Sequence, residues 1–212
     1  VNNRIAGLAD TETVTITDTT VAAEDLVTAN GHTTGLVTVQ STAIAGNQAD
    51  VIACLNANAL ATPTLAGLDA INVTLDNSNG GTATYAIALI NAVAAVTTGT
   101  ITASVTETNI TTLLAANAIA ESGHTLAITV ATSTVGGQSS ATAGAGDLIA
   151  LNALTTGTIT VTAATITGTA SHVKSVFGFG AAEVTGTANK AVTLSDTTLS
   201  AADLISIDNS TS

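Results

Sequence analysis

The sequence predicts a β-rich repeat solenoid, in which parallel strands form one side and each of about seven repeats adds a short helix. A triplet of apolar, Thr and apolar residues recurs along the chain, and a short helical pattern follows each copy. Of 212 residues, 43 are Thr and 41 are Ala, while aromatic residues make up 1%. Such small side chains suit thin stacked layers better than one large globular core.

The triplet predicts the strands. Alternation of apolar and hydroxyl residues is typical of a strand, with the aliphatic side chains inward and the central Thr outward. The gaps between copies range from 23 to 36 residues, so the period is loose. We expect one outward column of threonines, shared by all seven copies: Thr15, Thr38, Thr74, Thr102, Thr129, Thr160 and Thr193.

A bend and a second short strand or extended corner are expected after most triplets. An apolar residue returns six positions after the central Thr, as at Val21, Ile44, Val135, Ile166 and Leu199. Two longer inserts, 59–70 and 138–146, are predicted to project as loops.

Short helices follow, because apolar residues recur there at spacings of three and four. The seven predicted helices are centred on residues 25–27, 50–55, 85–90, 112–114, 147–151, 172–176 and 203–205. Ser200 with Asp203, and Asn47 with Asp50, have the form of a capping box. Thr-Thr-Gly segments at 33–35, 97–99 and 155–157 are predicted to end helices with a left-handed glycine.

We expect a single repeat array over residues 1–212, since no stretch has the composition of a linker. Residues 4–10 resemble residues 64–69 before a later strand, so the chain is expected to be a fragment of a longer repeat protein.

Composition argues against several classes of function. Only 3 residues are Lys or Arg and the net charge is -12, which disfavours nucleic-acid binding. The single Cys disfavours a disulfide framework or a Cys-based zinc site. The apolar part of the longest uncharged stretch, 85–96, is too short for a membrane span of about 20 residues. The sequence pairs no nucleophile with a base, so we expect no enzymatic activity.

The candidate sites are few. Asp18, Asp76 and Asp196 lie in or near bends and are candidate calcium ligands, although Asp in a turn also bonds its own backbone. The threonine column is a candidate ice- or glycan-binding face, but the column beside it is mixed, and Thr is also simply a good exposed strand residue.

The remaining chemically distinctive residues are given structural interpretations. His172 is expected at an exposed helix start, and neither it nor His32 or His124 has the spacing of a metal-ligand pair. Cys54 is expected to be a buried, inert thiol. The pair Phe177 and Phe179 is expected to tuck into the core at a helix end, with an exposed contact motif as the alternative.

Two segments resemble repeats of giant bacterial, cyanobacterial-type cell-surface and secreted proteins, which include adhesins and surface-layer-like proteins. These are 14–26 (VTITDTTVAAEDL) and 193–204 (TLSDTTLSAADL). The resemblance implies a non-catalytic, extracellular structural protein: a surface layer, filament or adhesin stalk. Its partners would be neighbouring repeats, further copies or a surface glycan. Two alternatives remain, namely an ice- or glycan-binding module and a virion fibre or decoration protein.

Overall fold

The computed structural model describes residues 11–76, 83–115, 119 and 122–211. The chain divides into two compact units. The N-terminal unit comprises residues 1–85 with 89–103, and the C-terminal unit comprises residues 86–88 with 104–212. Residues 4–10, whose likeness to 64–69 was noted above, lie outside the described residues. The prediction of one array over 1–212 stays a prediction.

The N-terminal unit contains short strands that alternate with helices. Its elements are β1 (Val14–Ile16), β2 (Thr20–Ala22), α1 (Ala23–His32), β3 (Val37–Val39), β4 (Ala43–Gly46), α2 (Gln48–Asn58), β5 (Leu65–Ala66), β6 (Asn72–Leu75) and β7 (Thr84–Tyr85). Two further elements, α3 (Ile87–Ala94) and β8 (Ile101–Val105), lie where the chain is divided.

The C-terminal unit repeats this order with one inserted hairpin. Its elements are α4 (Ile110–Leu113), β9 (Thr125–Val130), β10 (Ser133–Val135), β11 (Gln138–Ser140), β12 (Thr142–Gly144), α5 (Ala145–Asn152), β13 (Ile159–Val161), β14 (Thr165–Gly168), α6 (Ala170–Phe177), β15 (Val184–Thr185), β16 (Ala191–Leu194) and α7 (Ala201–Thr211). Across the described residues there are seven helices, as predicted.

The chain is a series of strand–helix repeats, here called coils, and most coils contribute one strand to each of two parallel ladders. In the N-terminal unit, β1, β3 and β5 form one ladder, and β2, β4, β6 and β8 follow one another in the second. In the C-terminal unit the corresponding ladders are β9, β13, β15 and β12, β14, β16. We expected parallel strands on one side only, but each unit has two parallel ladders. The expectation of parallel strands joined by helices is confirmed.

Burial follows the predicted alternation in the inner strands. Val37 and Val39 are buried on either side of Thr38, and Ile159 and Val161 are buried on either side of the exposed Thr160. Helices bury one stripe against the strands, for example Leu26 in α1 and Leu148 in α5. Successive helices pack together, α1 on α2 and α5 on α6. Small residues permit this: Gly46 and Gly168 sit so close to Ala23 and Ala145 that an added Cβ would lie 3.1 and 3.2 Å from their Cβ atoms.

Several helices start at polar side chains that accept from the first-turn amides. Asn47 Oδ1 accepts from the backbone N–H groups of Ala49 and Asp50 at 3.0 and 3.1 Å. Ser200 Oγ accepts from Asp203 N at 3.0 Å and donates to Asp203 Oδ2 at 2.7 Å. The two predicted caps are thus confirmed. Within the described residues, no helix is both long and apolar enough to cross a membrane.

One predicted loop is only partly right. Residues 138–146 were expected to project, but only β11 does so, while residues 142–146 comprise β12 and the start of α5. The projecting element is the antiparallel hairpin of β10 and β11, which turns through Gly136 and Gly137 at φ +58° and +80°. Val135 therefore lies exposed in this hairpin instead of on a second strand of the coil, where Ala143 takes the buried position. The other insert, 59–70, contains β5, which pairs with β3.

Candidate functional site

The outward threonines were the clearest candidate surface, and the structure divides them between sheets. Thr15 pairs with Thr38, but the next register position in that ladder is Ala66. Thr74 belongs to the second ladder, where it pairs with Ala45 and Thr102. The expectation of one column in all seven copies is therefore wrong.

The same division holds in the C-terminal unit. Thr129, Thr160 and Thr185 are in register across β9, β13 and β15, whereas Thr193 pairs with Thr167 in the other ladder. Thr185 donates to Thr160 Oγ1 at 3.4 Å. Since both strands of a coil carry the same alternation, the triplet alone does not distinguish them. Within the C-terminal unit, three threonines align across adjacent strands, the Thr129–Thr160–Thr185 row.

The Thr-Thr-Gly segments join one coil to the coil before it. Thr155 Oγ1 lies 3.0 Å from the carbonyl oxygens of both His124 and Leu126, which share its one hydroxyl proton, and it accepts from Leu126 N at 2.8 Å and Gly157 N at 2.9 Å. Thr155 is 7% exposed, so these bonds form away from water. The sequence did not reveal this role for the hydroxyl.

The same device occurs in the N-terminal unit. Thr97 Oγ1 donates to Ile71 O at 3.1 Å and accepts from Gly99 N at 3.0 Å, and Thr33 Oγ1 donates to Glu12 O at 2.7 Å. The glycines were predicted to be left-handed, but Gly35, Gly99 and Gly157 do not have a positive φ. They are required because a Cβ would overlap the backbone of the preceding coil, at Glu12 O, Ile71 O and Leu126 O respectively.

The three candidate calcium ligands are divided between the units: Asp18 and Asp76 belong to the N-terminal unit and Asp196 to the C-terminal unit. Asp18 is exposed on the bend between β1 and β2. Asp76 is half-buried after β6, where burial raises the pKa of its carboxyl group, and its backbone oxygen accepts from Tyr85 Oη at 2.6 Å. Within the described residues, no group of three or more His, Cys, Asp or Glu side chains could hold a metal ion. The calcium site stays a prediction.

Asp196 has a structural partner. Its Oδ2 accepts from the backbone N of Ala170, the first residue of α6, at 2.7 Å. Glu107 does the same for α3, where its two carboxylate oxygens accept from Ile87 N at 3.1 and 3.0 Å. A carboxylate at a helix N-terminus is favoured by the orphan amides and the helix dipole. These acids therefore cap a helix that lies earlier in the chain.

The histidines are dispersed. His32 is exposed at the end of α1, and His172 is exposed in the first turn of α6, as predicted. His124 is buried and its backbone forms a bridge with Thr155.

Cys54 is buried in α2, as expected, and its Sγ donates to Ala23 O at 3.4 Å. Burial, with a contribution from the Asp50 charge, raises the pKa of this thiol to about 12. Because the thiolate is the reactive form, Cys54 is chemically inert in the folded chain.

Phe177 and Phe179 are both half-buried at the end of α6. They are therefore neither fully buried in the core, as expected, nor fully exposed, as in the alternative. Nearby, Lys174 of α6 forms an ion pair with Asp203 of α7. The side chains at this helix pair thus connect successive coils.

The chain matches no protein-family model, no curated protein and no solved structure.

Proposed function

We propose that this chain is a structural segment of an extracellular bacterial surface protein, with each unit built as a short solenoid. The coil is the unit of construction, and the solenoid becomes longer as each further coil adds strands to both ladders. The observation that carries this proposal is that polar side chains form hydrogen bonds to the backbone of the preceding coil. Thr97, Thr155 and Asp196 all bond backbone groups of earlier residues.

The charge composition of the chain supports an exposed location. The chain has 15 Asp and Glu against 3 Lys and Arg, so trypsin-like proteases have few cleavage points. A surface layer, a filament or an adhesin stalk would each use a stacked, non-catalytic segment of this kind. Neighbouring repeats and further copies of the chain are the partners that fit best.

Labelling of intact cells tests the location. Antibodies raised against the purified chain are applied to unpermeabilised and permeabilised cells of the organism that encodes it. Under the proposal, intact cells are labelled, and brief external protease treatment removes the signal. Labelling that requires permeabilisation would overturn the proposal.

A binding role for the Thr129–Thr160–Thr185 row is the second candidate. The favouring observation is that these three outward hydroxyl side chains stand in register on adjacent parallel strands. Neighbouring strands are about 4.8 Å apart, so the row presents a regular hydroxyl array to ice or a glycan. Thermal hysteresis and glycan-array binding of the wild-type chain and of Thr160→Lys test it. The candidate fails if the wild-type chain gives no signal in either assay.

A further inference from the structure

The connector between α2 and β5, residues 59–64, differs from the Thr-Thr-Gly connectors. It runs from the end of α2 at Asn58 to the start of β5 at Leu65. Residues 59–63 are all exposed, and Leu60 is 55% exposed. The Thr-Thr-Gly connectors instead bury a hydroxyl group against the preceding coil, as at Thr155. The connector 59–64 therefore presents an aliphatic side chain to solvent.

The chain on either side of this connector is fixed. Asn58 Nδ2 donates to Asp69 Oδ1 at 2.7 Å, and Asn58 Oδ1 accepts from Leu68 N at 3.0 Å. At the other end, Thr64 O accepts from Val37 N of β3 at 3.0 Å. Hydrogen bonds to the folded coils thus hold both ends, while the residues between them lie in solvent.

A connector of the same length in the C-terminal unit is built differently. Residues 178–183 join α6 to β15. Glu183 N donates to Gly180 O at 2.9 Å, and Gly180 N donates to Glu183 Oε2 at 3.0 Å. Between these two residues, Ala181 and Ala182 are exposed. This connector therefore also exposes small side chains, but its own hydrogen bonds close its backbone into a turn.

Exposed small and aliphatic residues in a loop are what certain endopeptidases require. Proteolytic nicking concentrates at exposed loops, where the backbone can enter the cleft of a protease. With only 3 Lys and Arg in the chain, trypsin-like enzymes have few sites, but residues 59–61 read Ala-Leu-Ala. Side chains of this size fit the small specificity pocket of elastase-like endopeptidases.

We propose that the connector 59–64 is a processing site for an endopeptidase of elastase-like specificity, and that the cut chain stays assembled. The enzyme cuts after Leu60 or Ala61. For the first of these bonds, water adds to the carbonyl carbon of Leu60 and the C–N bond breaks. Leu60 then ends in a carboxylate, and Ala61 begins with an amino group. This proposal is independent of the structural function above.

The contacts across the cut explain why the pieces stay together. Strand β5 pairs with β3, and β6 pairs with β4, so both ladders of the N-terminal unit cross from one piece to the other. Leu65 and Val73, which follow the cut, are each 1% exposed. Gly67 lies so close to Val39 O that an added Cβ would overlap it. Cleavage of the connector removes one covalent link and none of these contacts.

Limited digestion of the purified chain with elastase tests the site. Mass spectrometry of a time course identifies each cut bond and its rate. Bonds within residues 59–62 are expected to be cut at least about tenfold faster than the bond after Ala181. Cleavage of this connector no faster than cleavage after Ala181 would overturn the proposal.

The state of the cut chain is measured by size-exclusion chromatography. Fragments 1–60 and 61–212 are expected to elute together at the position of the uncut chain, and to separate only in denaturant. Separation of the two fragments in native buffer would overturn the claim that the cut chain stays assembled.

A proline variant separates access from stability. Ala61→Pro is expected to slow cleavage of the connector at least about tenfold, because proline lacks the backbone N–H and fixes φ after the bond at Leu60. Its melting temperature is expected to match that of the wild type, since Ala61 is exposed. Ala61→Ser is the matched control and is expected to be cut like the wild type. Equal cleavage of the proline and serine variants at this connector would contradict the assignment.

Discussion

Threonine and glycine are the residues through which one coil is fixed to the next. The hydroxyl of Thr155 makes four backbone contacts at once, and Gly157 allows the backbones to approach where a Cβ would not fit. The high Thr content therefore reflects two separate uses. Outward threonines suit exposed strand positions, while the hydroxyl groups of the Thr-Thr-Gly segments add to the backbone hydrogen bonds between coils.

Gly99→Ala is expected to lower the free energy of unfolding by about 2 kcal/mol, because the new Cβ overlaps the backbone oxygen of Ile71. Gly31→Ala is the matched control, since nothing lies within 4 Å of a Cβ at that helical position. It is expected to be neutral or stabilising by about 0.5–1 kcal/mol. Urea unfolding of both variants checks this, and equal effects would contradict the close-approach argument.

Thr155→Val is expected to cost about 3 kcal/mol, since it leaves the Leu126 and Gly157 amides without the hydroxyl acceptor. Thr155→Ser keeps the hydroxyl and loses only a methyl group, which costs about 1 kcal/mol. Thermal and urea unfolding of the two variants measure the difference. A serine variant as unstable as the valine variant would show that the hydroxyl is not what matters.

At the scale of single elements, helices were easier to predict than strand partners. Leu26, Val51 and Leu148 fall on buried helix stripes because spacings of three and four mark a helix face within a few residues. The strands were located by local alternation, but the partners of the parallel strands lie 23 or more residues away. Thr74 and Thr193 were therefore grouped with the first strands of coils, although they belong to the second ladders.

The hairpin of β10 and β11 carried a signal that was not used. Gly136-Gly137 stands between two short polar and β-branched runs, and Gly-Gly favours a two-residue hairpin turn. The acid caps could not be found in this way. Asp196 lies 26 residues after Ala170, and only the folded ladder brings its carboxylate to the start of α6.

Asp196→Ala is expected to destabilise the chain by about 1 kcal/mol through loss of the cap on α6. Asp18→Ala is its control, because Asp18 lies in a similar Asp-Thr-Thr sequence between β1 and β2, where its side chain is exposed. Melting temperatures of both variants, with and without a chelator, check the assignment. If the chelator lowered the wild-type melting temperature, calcium rather than capping would explain these carboxylates.

On the scale of the whole chain, the two units are versions of one design. Residues 33–51 align with residues 155–173 without a gap, and the elements at these positions correspond: β3 with β13, β4 with β14 and the start of α2 with that of α6. Gly46 and Gly168 make the same close approach to Ala23 and Ala145. This longer repeat of 122 residues was not evident from the loose period of the triplet. The inserted hairpin of β10 and β11 lengthens the segment between β9 and β13, so the spacing of these strands differs from that of β1 and β3.

Within the described residues, the polar side chains hold the structure together. Most conspicuous polar groups serve the ladders, the helix caps or the turns, and the one thiol is buried with a pKa of about 12.

Residue-resolved hydrogen exchange by NMR tests the coil-to-coil ladder most directly. At low protein concentration and low salt, the amides of Ala191, Thr193 and Ser195 are expected to exchange slowly, since they face β14. In this chain of 212 residues, the amides of Val192 and Leu194 are expected to exchange at least about tenfold faster, since among the described residues no strand pairs with the side of β16 that they face. Equal rates across the five residues, or slow exchange at Val192 and Leu194 alone, would contradict the register and with it the ladder on which the structural proposal is built.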